Sequence, residues 1–120
     1  MTIVLDKDRA ICPQIAEYLC TKIAREDVQA GEKLPSVRDI ALEAGVNPNT
    51  VQKSFELLEK EGLIYSVRGS GWFVGGDRQK AKETVLRLAA AKTQKYFDEM
   101  RLIGFDAEQT KDYAGRYSHE

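Results

Sequence analysis

Ile40-Ala41-Leu42-Glu43-Ala44-Gly45-Val46-Asn47-Pro48-Asn49-Thr50-Val51-Gln52-Lys53-Ser54-Phe55 is the stretch on which the fold turns. It reads as the end of one short helix, a tight turn and the start of another. Ala41 is small enough to let two helices approach closely. Gly45 stands at the turn, where a left-handed backbone is expected and glycine adopts it without steric cost. Asn47 is an N-cap, and Pro48 takes the first helical position, whose N–H has no intrahelical partner in any case. Val46 and Val51 lock the two helices together from inside. Ala41, Gly45 and Val51 stand at intervals of four and six residues, the spacing of a helix-turn-helix. Helical hairpins that never touch DNA also place Ala and Gly at turns, so the flanking sequence has to decide.

Upstream, Ser36 is an N-cap for the helix that ends at Gly45, with Asp39 three residues on in a capping-box-like position. Val37, Ile40, Ala41 and Ala44 form its inner face. Ala30-Gly31-Glu32-Lys33 reads as a turn. Before it, Ile11, Ile15, Leu19 and Ile23 recur at every fourth residue. That period predicts a first helix over residues 11–28, with Pro13 in its first turn. Downstream, Val51, Phe55 and Leu58, with Leu57 beside them, give the third helix an apolar side, and Gly62 is placed to close it. Leu63-Ile64-Tyr65-Ser66-Val67 and Trp72-Phe73-Val74 are β-rich runs around Arg68-Gly69-Ser70-Gly71, the pattern of a hairpin. Gly75-Gly76-Asp77 then breaks the pattern.

From Arg78 to Ile103 there is no Gly or Pro, which predicts one long helix. Leu86, Ala89, Thr93, Tyr96, Met100 and Ile103 alternate in threes and fours, as in a short coiled-coil seam. Val85, Leu88 and Phe97 lie on other faces. Gly104 ends this helix, and residues 105–117 read as a short last one. The expected fold is mainly α with a small β-hairpin: a winged helix-turn-helix over residues 1–77, followed by a two-helix dimerisation tail over residues 78–120.

With Val51, Phe55 and Leu58 inward, the outer face of the third helix shows Asn49, Thr50, Gln52 and Lys53. An Asn or Gln amide can pair with adenine through two hydrogen bonds. Thr can touch phosphate or a thymine methyl, and Lys reaches phosphate or guanine. No acidic residue stands between Ala44 and Phe55, and the N–H groups at a helix N-terminus attract anions. At the hairpin tip, Arg68-Gly69-Ser70-Gly71 offers a cation and backbone N–H groups, a wing able to lie along a neighbouring groove or its phosphates. The plain alternatives are a solvated polar face and an ordinary hairpin turn. The motif GxxxxGK[ST] is absent, which excludes a P-loop.

The 120 residues are 42% apolar and 31% charged, with a mean hydropathy of −0.43. This balance fits a globular protein and excludes a disordered or collagen-like chain. No apolar run approaches the roughly 20 residues that span a bilayer. The stretch Met1-Thr2-Ile3-Val4-Leu5-Asp6 lacks the basic start of a secretory signal, so a cytoplasmic location is expected. The net charge of −1 excludes a protein that holds nucleic acid by a bulk positive field. Residues 1–77 carry 9 basic against 12 acidic residues, and residues 78–120 carry 9 against 7. Weak non-specific DNA binding is therefore expected, with affinity depending on a matched site and on two subunits acting together.

Cys12 and Cys20, if on one helix, are about 12 Å apart in rise, too far for a disulfide. They are expected to pack as small hydrophobes. There is no CxxC, and the single histidine is His119, so no zinc ligand set and no catalytic triad suggests itself. No enzyme activity, metal or cofactor is expected. Tyr96, Phe97, Phe105 and Tyr113 could line a ligand groove between the tail helices, although such aromatics equally fit a core or an interface. A small-molecule effector therefore stays open, as does a winged helix that binds protein.

The motifs Gly31-Glu32-Lys33-Leu34-Pro35-Ser36-Val37-Arg38-Asp39-Ile40-Ala41, Gly45-Val46-Asn47-Pro48-Asn49-Thr50-Val51 and Leu58-Glu59-Lys60-Glu61-Gly62-Leu63-Ile64 resemble the GntR family of bacterial transcription regulators. The resemblance runs from Gln14 to Val74. It implies a winged helix-turn-helix that binds double-stranded operator DNA as a homodimer, more often as a repressor. Only 43 residues follow Asp77, which is similar to the YtrA subfamily with its short dimerising tail. By that resemblance, Arg38 falls on a DNA-contacting arginine position. Asn49, Thr50 and Gln52 fall on recognition-helix contacts, and Pro48 falls where some relatives carry Arg. Arg68 and Gly69 match the wing-tip pair. Ser36, Asn47 and Lys53 complete the candidate DNA-binding set. The wing departs from the family by reading Gly-Ser-Gly-Trp-Phe, which leaves the place of Trp72 open between core and wing.

Overall fold

In the computed structural model, which describes residues 3–117, α1 (Ile11–Ala24), α2 (Val37–Ala44) and α3 (Pro48–Lys60) are followed by β1 (Ile64–Val67) and β2 (Gly71–Val74), then by α4 (Arg78–Leu102) and α5 (Ala107–Gly115). His119 lies outside the described residues. The fold is a winged helix-turn-helix with helices after it, as the sequence predicts.

The apolar periods account for the core. Ile15, Leu19 and Ile23 of α1 meet Ile40 and Ala41 of α2 and Val51, Phe55 and Leu58 of α3, closed below by Leu63, Ile64 and Val74. Each large apolar side chain buried this way contributes roughly 1.5–3 kcal/mol. Leu57 is 46% exposed and does not join them. Trp72 belongs to this core: its ring stands edge-on to Phe55 at 5.3 Å between centroids.

α1 ends four residues earlier than predicted. Glu26 adopts φ 63, its N–H donates to the Ile23 carbonyl at 3.1 Å, and the Asp27 N–H donates to Lys22 at 3.0 Å. These two bonds satisfy the last carbonyls of the helix, a role usually given to glycine. With Glu in that place, the sequence carries no stop signal. Val28, beyond the helix, is still in the core.

The expected turn forms at Ala30-Gly31, where the Glu32 N–H donates to the Gln29 carbonyl at 2.9 Å, but the chain after it pairs with the hairpin. Lys33 bridges to Phe73, the Leu34 N–H donates to the Trp72 carbonyl at 2.8 Å, and the Val74 N–H donates to Glu32 at 2.9 Å. The hairpin, in register Ile64↔Val74 to Val67↔Gly71, thus gains a short third edge. One bridged residue has no alternating pattern to show in a sequence.

The chain divides into two compact units, one ending at Val85 and the next starting at Leu86. The expected boundary at Asp77 stands at the start of α4, but the first unit runs on through its first two turns. Ala81 is fully buried in the core and Val85 packs against it. The Cys20 thiol donates to the Ala81 carbonyl at 3.6 Å. Arg78 pairs with Glu26 at 3.0 Å and Lys80 with Glu61 at 3.5 Å.

In the second unit, Gly104 at φ 99 stops α4, with the Phe105 N–H donating to Met100. α5 opens with a capping box: Asp106 Oδ1 accepts from the Gln109 N–H at 2.8 Å, and Gln109 Oε1 accepts from the Asp106 N–H at 2.9 Å. Among the described residues no helix is long and apolar enough to cross a membrane.

Candidate nucleic-acid interface

The two helix starts that face one surface are fixed by their caps. Ser36 Oγ accepts from the Asp39 N–H at 3.0 Å and starts α2. Gly45 at φ 69 ends it, and the Val46 N–H returns to the Ala41 carbonyl at 3.0 Å. Asn47 Oδ1 accepts from the Asn49 N–H at 2.8 Å, with Pro48 at N1 of α3. Such a cap is worth about 1 kcal/mol. It engages the Asn47 amide oxygen and leaves its NH₂ group exposed. Arg38 and Pro48 line one hollow with Ala41, Leu42 and Val46, which brings the starts of α2 and α3 together.

Along α3, Asn49, Gln52 and Lys53 are exposed and Thr50 is half-buried. Ser54, fully buried, donates to the Cys12 carbonyl at 2.8 Å and to Thr50 at 3.1 Å, which pins the helix to α1. The amides of Asn49 and Gln52 have no side-chain hydrogen bond, and Arg38, Lys53 and Arg68 have no ion pair, among the described residues. Their polar ends are uncommitted and face solvent. Lys53 lines a second hollow with Cys12, Glu56, Leu57 and Lys60. Glu56, the first acidic residue of α3, shares that hollow. Cys12 is half-buried and Cys20 buried, both as free thiols.

The wing tip is a turn in which Gly69 takes φ 80 and the Ser70 N–H donates to the Val67 carbonyl at 2.9 Å. Arg68 and Gly69 are exposed at its end. Because Trp72 packs on Phe55, the unusual aromatic anchors the root of the wing rather than extending its reach.

Five of the six residues of the expected seam lie on α4, Ile103 follows directly after it, and the six are largely uncovered. Leu86 is 69% exposed and Ile103 70%; Ala89, Thr93 and Tyr96 are also exposed, and Met100 is half-buried. A groove on α4 is lined by Ala89, Ala90, Thr93, Gln94, Phe97 and Arg101. Of the four aromatics expected to line a ligand groove, only Phe97 does so here. Tyr96 stands edge-on to Phe97, and Phe105 to Tyr113 at 5.8 Å, which are packing contacts. No cluster of three or more His, Cys, Asp or Glu residues able to hold a metal occurs among the described residues.

Tyr18 stands apart from this surface. Its hydroxyl is buried with no hydrogen-bond partner among the described residues, while Lys22 sits 5.5 Å over the ring. Burial raises the pKa of this phenol above its ordinary value, and the charges of Glu43 and Asp27 raise it further.

Residues 13–74 match the bacterial regulatory proteins of the gntR family. The chain is 33% identical over 105 residues to the HTH-type transcriptional repressor YtrA of Bacillus subtilis (strain 168), covering 88% of this chain and 73% of that relative. Its structure is similar to that of a GntR family transcriptional regulator from Listeria monocytogenes, with a TM-score of 0.77 and 31% identity over 93% of this chain and 98% of the other. It is also similar to AraR(DBD) in complex with operator ORX1, with a TM-score of 0.54 and 28% identity over 59% of this chain and 87% of that one.

Proposed function

The chain belongs to the GntR family of bacterial regulatory proteins, and from that premise we propose that it is a sequence-specific DNA-binding transcriptional repressor, acting in the cytoplasm as a homodimer on a near-palindromic operator. One observation carries the reading. The first two turns of α3 present Asn49 and Gln52 with their amides uncommitted, between the unpaired cations Arg38, Lys53 and Arg68. That arrangement suits base edges in a major groove flanked by backbone phosphates.

In this reading, Asn49, Thr50 and Gln52 read bases, and Arg38, Lys53 and Arg68 hold the backbone. Ser36, Asn47, Pro48 and Gly69 shape the surface that presents them. The repressor role is supported by the name of the YtrA relative, and operator binding by the AraR complex. Two copies joined along Leu86, Ala89, Thr93, Tyr96, Met100 and Ile103 would place two recognition helices on half-sites about 10 base pairs apart or a multiple of that.

The test is a gel shift on the promoter DNA beside the protein's own gene, with unrelated DNA as competitor and at two salt concentrations. Tight binding that resists the competitor and weakens with salt is expected. Binding no better than to the competitor, there and after selection from genomic DNA with added metabolites, would favour a protein-interaction module.

A further inference from the structure

Lys33 carries a role that its place in a sequence turn conceals. The short edge at residues 31–34 sets Lys33 opposite Phe73. Directly paired residues in an antiparallel sheet share a face, and so do residues two apart along a strand. Gly71, two residues from Phe73, therefore lies on the face of Lys33, towards the tip of the wing. The side chain does run that way: its Cε would stand 3.3 Å from a Cβ at Gly71. Gly71 pairs with Val67, the last pair before Arg68. The apolar stem of Lys33 thus crosses the root of the wing tip, and its ammonium is delivered beside it, as lysine stems do along apolar surface.

Charge supports the same reading. Lys33 is exposed and has no ion pair among the described residues. The nearest acid in sequence, Glu32, is turned away, its carboxylate accepting from the Gln29 N–H at 3.0 Å. Three residues after Lys33, Ser36 starts the helix that presents Arg38. Lys33 therefore lies on the span of chain that laces the wing to the start of α2.

We propose that Lys33 is a further phosphate-binding cation of the DNA interface, gripping the backbone between the wing tip and α2. The inference rests on the DNA-binding reading above. A lysine on a phosphate adds affinity without regard to sequence and contributes about one unit to the salt slope of binding.

The experiment measures affinity of the full chain for operator and for unrelated DNA over a range of salt, with Lys33→Gln and Lys33→Arg beside the unaltered protein. For Lys33→Gln, a several-fold loss common to both DNAs and a salt slope lower by about one per protomer are expected, with Lys33→Arg restoring both. An unchanged slope overturns the proposal. So does a loss confined to the operator, which would make Lys33 a base reader. If the unaltered chain binds neither DNA, the parent reading has failed with it, and that result is distinct from a Lys33 effect. Equal melting temperatures of the variants, read in parallel, show that the fold is not the cause.

Discussion

The unit that ends at Val85 and the unit that starts at Leu86 use apolar side chains in opposite ways. In the first, Ile15, Ile40, Val51 and Phe55 are all at 0% exposure, and α1, α2, α3 and the hairpin each cover the others. In the second, Thr110 is the one buried residue among those described, while Leu86, Leu102, Ile103 and Tyr117 stand 69–86% exposed. The first unit closes its own core. The second leaves apolar side chains uncovered, and this is the surface on which the proposed second copy would pack. One helix, α4, contributes its first turns to the closed core and the rest to the open face. The lesson is that one uninterrupted helical pattern can serve two kinds of burial.

The contrast breaks most sharply at Phe55. Phe55→Ala removes the centre of the closed core and the ring that Trp72 packs on, and should cost about 3–5 kcal/mol. Denaturant unfolding of the full chain measures it. A loss under about 1 kcal/mol would mean that the first unit is not the rigid half of the comparison.

Met100→Glu tests the open half. A charge at half-buried Met100, on the proposed seam, should raise the dissociation constant of the proposed dimer by about a hundredfold, close to 2.7 kcal/mol, while leaving the first unit folded. Sedimentation reads the outcome, and a dimer that persists would move the interface elsewhere.

Arg38→Ala sharpens what the closed half is for. It should weaken operator binding by about 1–3 kcal/mol per subunit if the guanidinium makes a bidentate contact, with no change in melting temperature. Unchanged affinity in a filter or gel assay would take Arg38 out of the interface.

The smallest expected effect concerns Tyr18. Its folded pKa is raised above the ordinary 10.0, chiefly by burial. The folded state therefore binds this proton more tightly, and the associated stability is present below pH 10.0 and lost as pH rises through the folded value. Tyr18→Phe should flatten the fall of the denaturation midpoint above that pH. An identical fall in the variant would assign the effect to other groups.

Much of this was legible in the residues. The fourfold period of α1, the caps Ser36 and Asn47 and the glycines 45, 62 and 104 carry local rules, and the helices begin or end where those rules put them. Three features were not legible. α1 stops at Ala24 because Glu26, a residue that carries no left-handed signature, turns the chain there: the Glu26 and Asp27 N–H groups find carbonyl partners and Arg78 pairs with the Glu26 carboxylate. The bridge from Lys33 to Phe73 is a pairing across some forty residues, which leaves no local trace. The division of α4 at Val85 depends on Ala81 meeting the core, and its helical pattern is continuous across that point.

The candidate interface divides in the same way. The residue types on the outer face of α3 could be read from the helix period alone. That Trp72 anchors the wing root, by packing on Phe55, required a neighbour brought from elsewhere in the chain. By itself, the sequence determined the element order, the helix-turn-helix and the residues that face outward, because periodicity and capping act over a few residues. Only the tertiary structure decided where the first unit ends, which polar atoms are already bonded and where Lys33 points, because each depends on groups distant in sequence arriving at the same place.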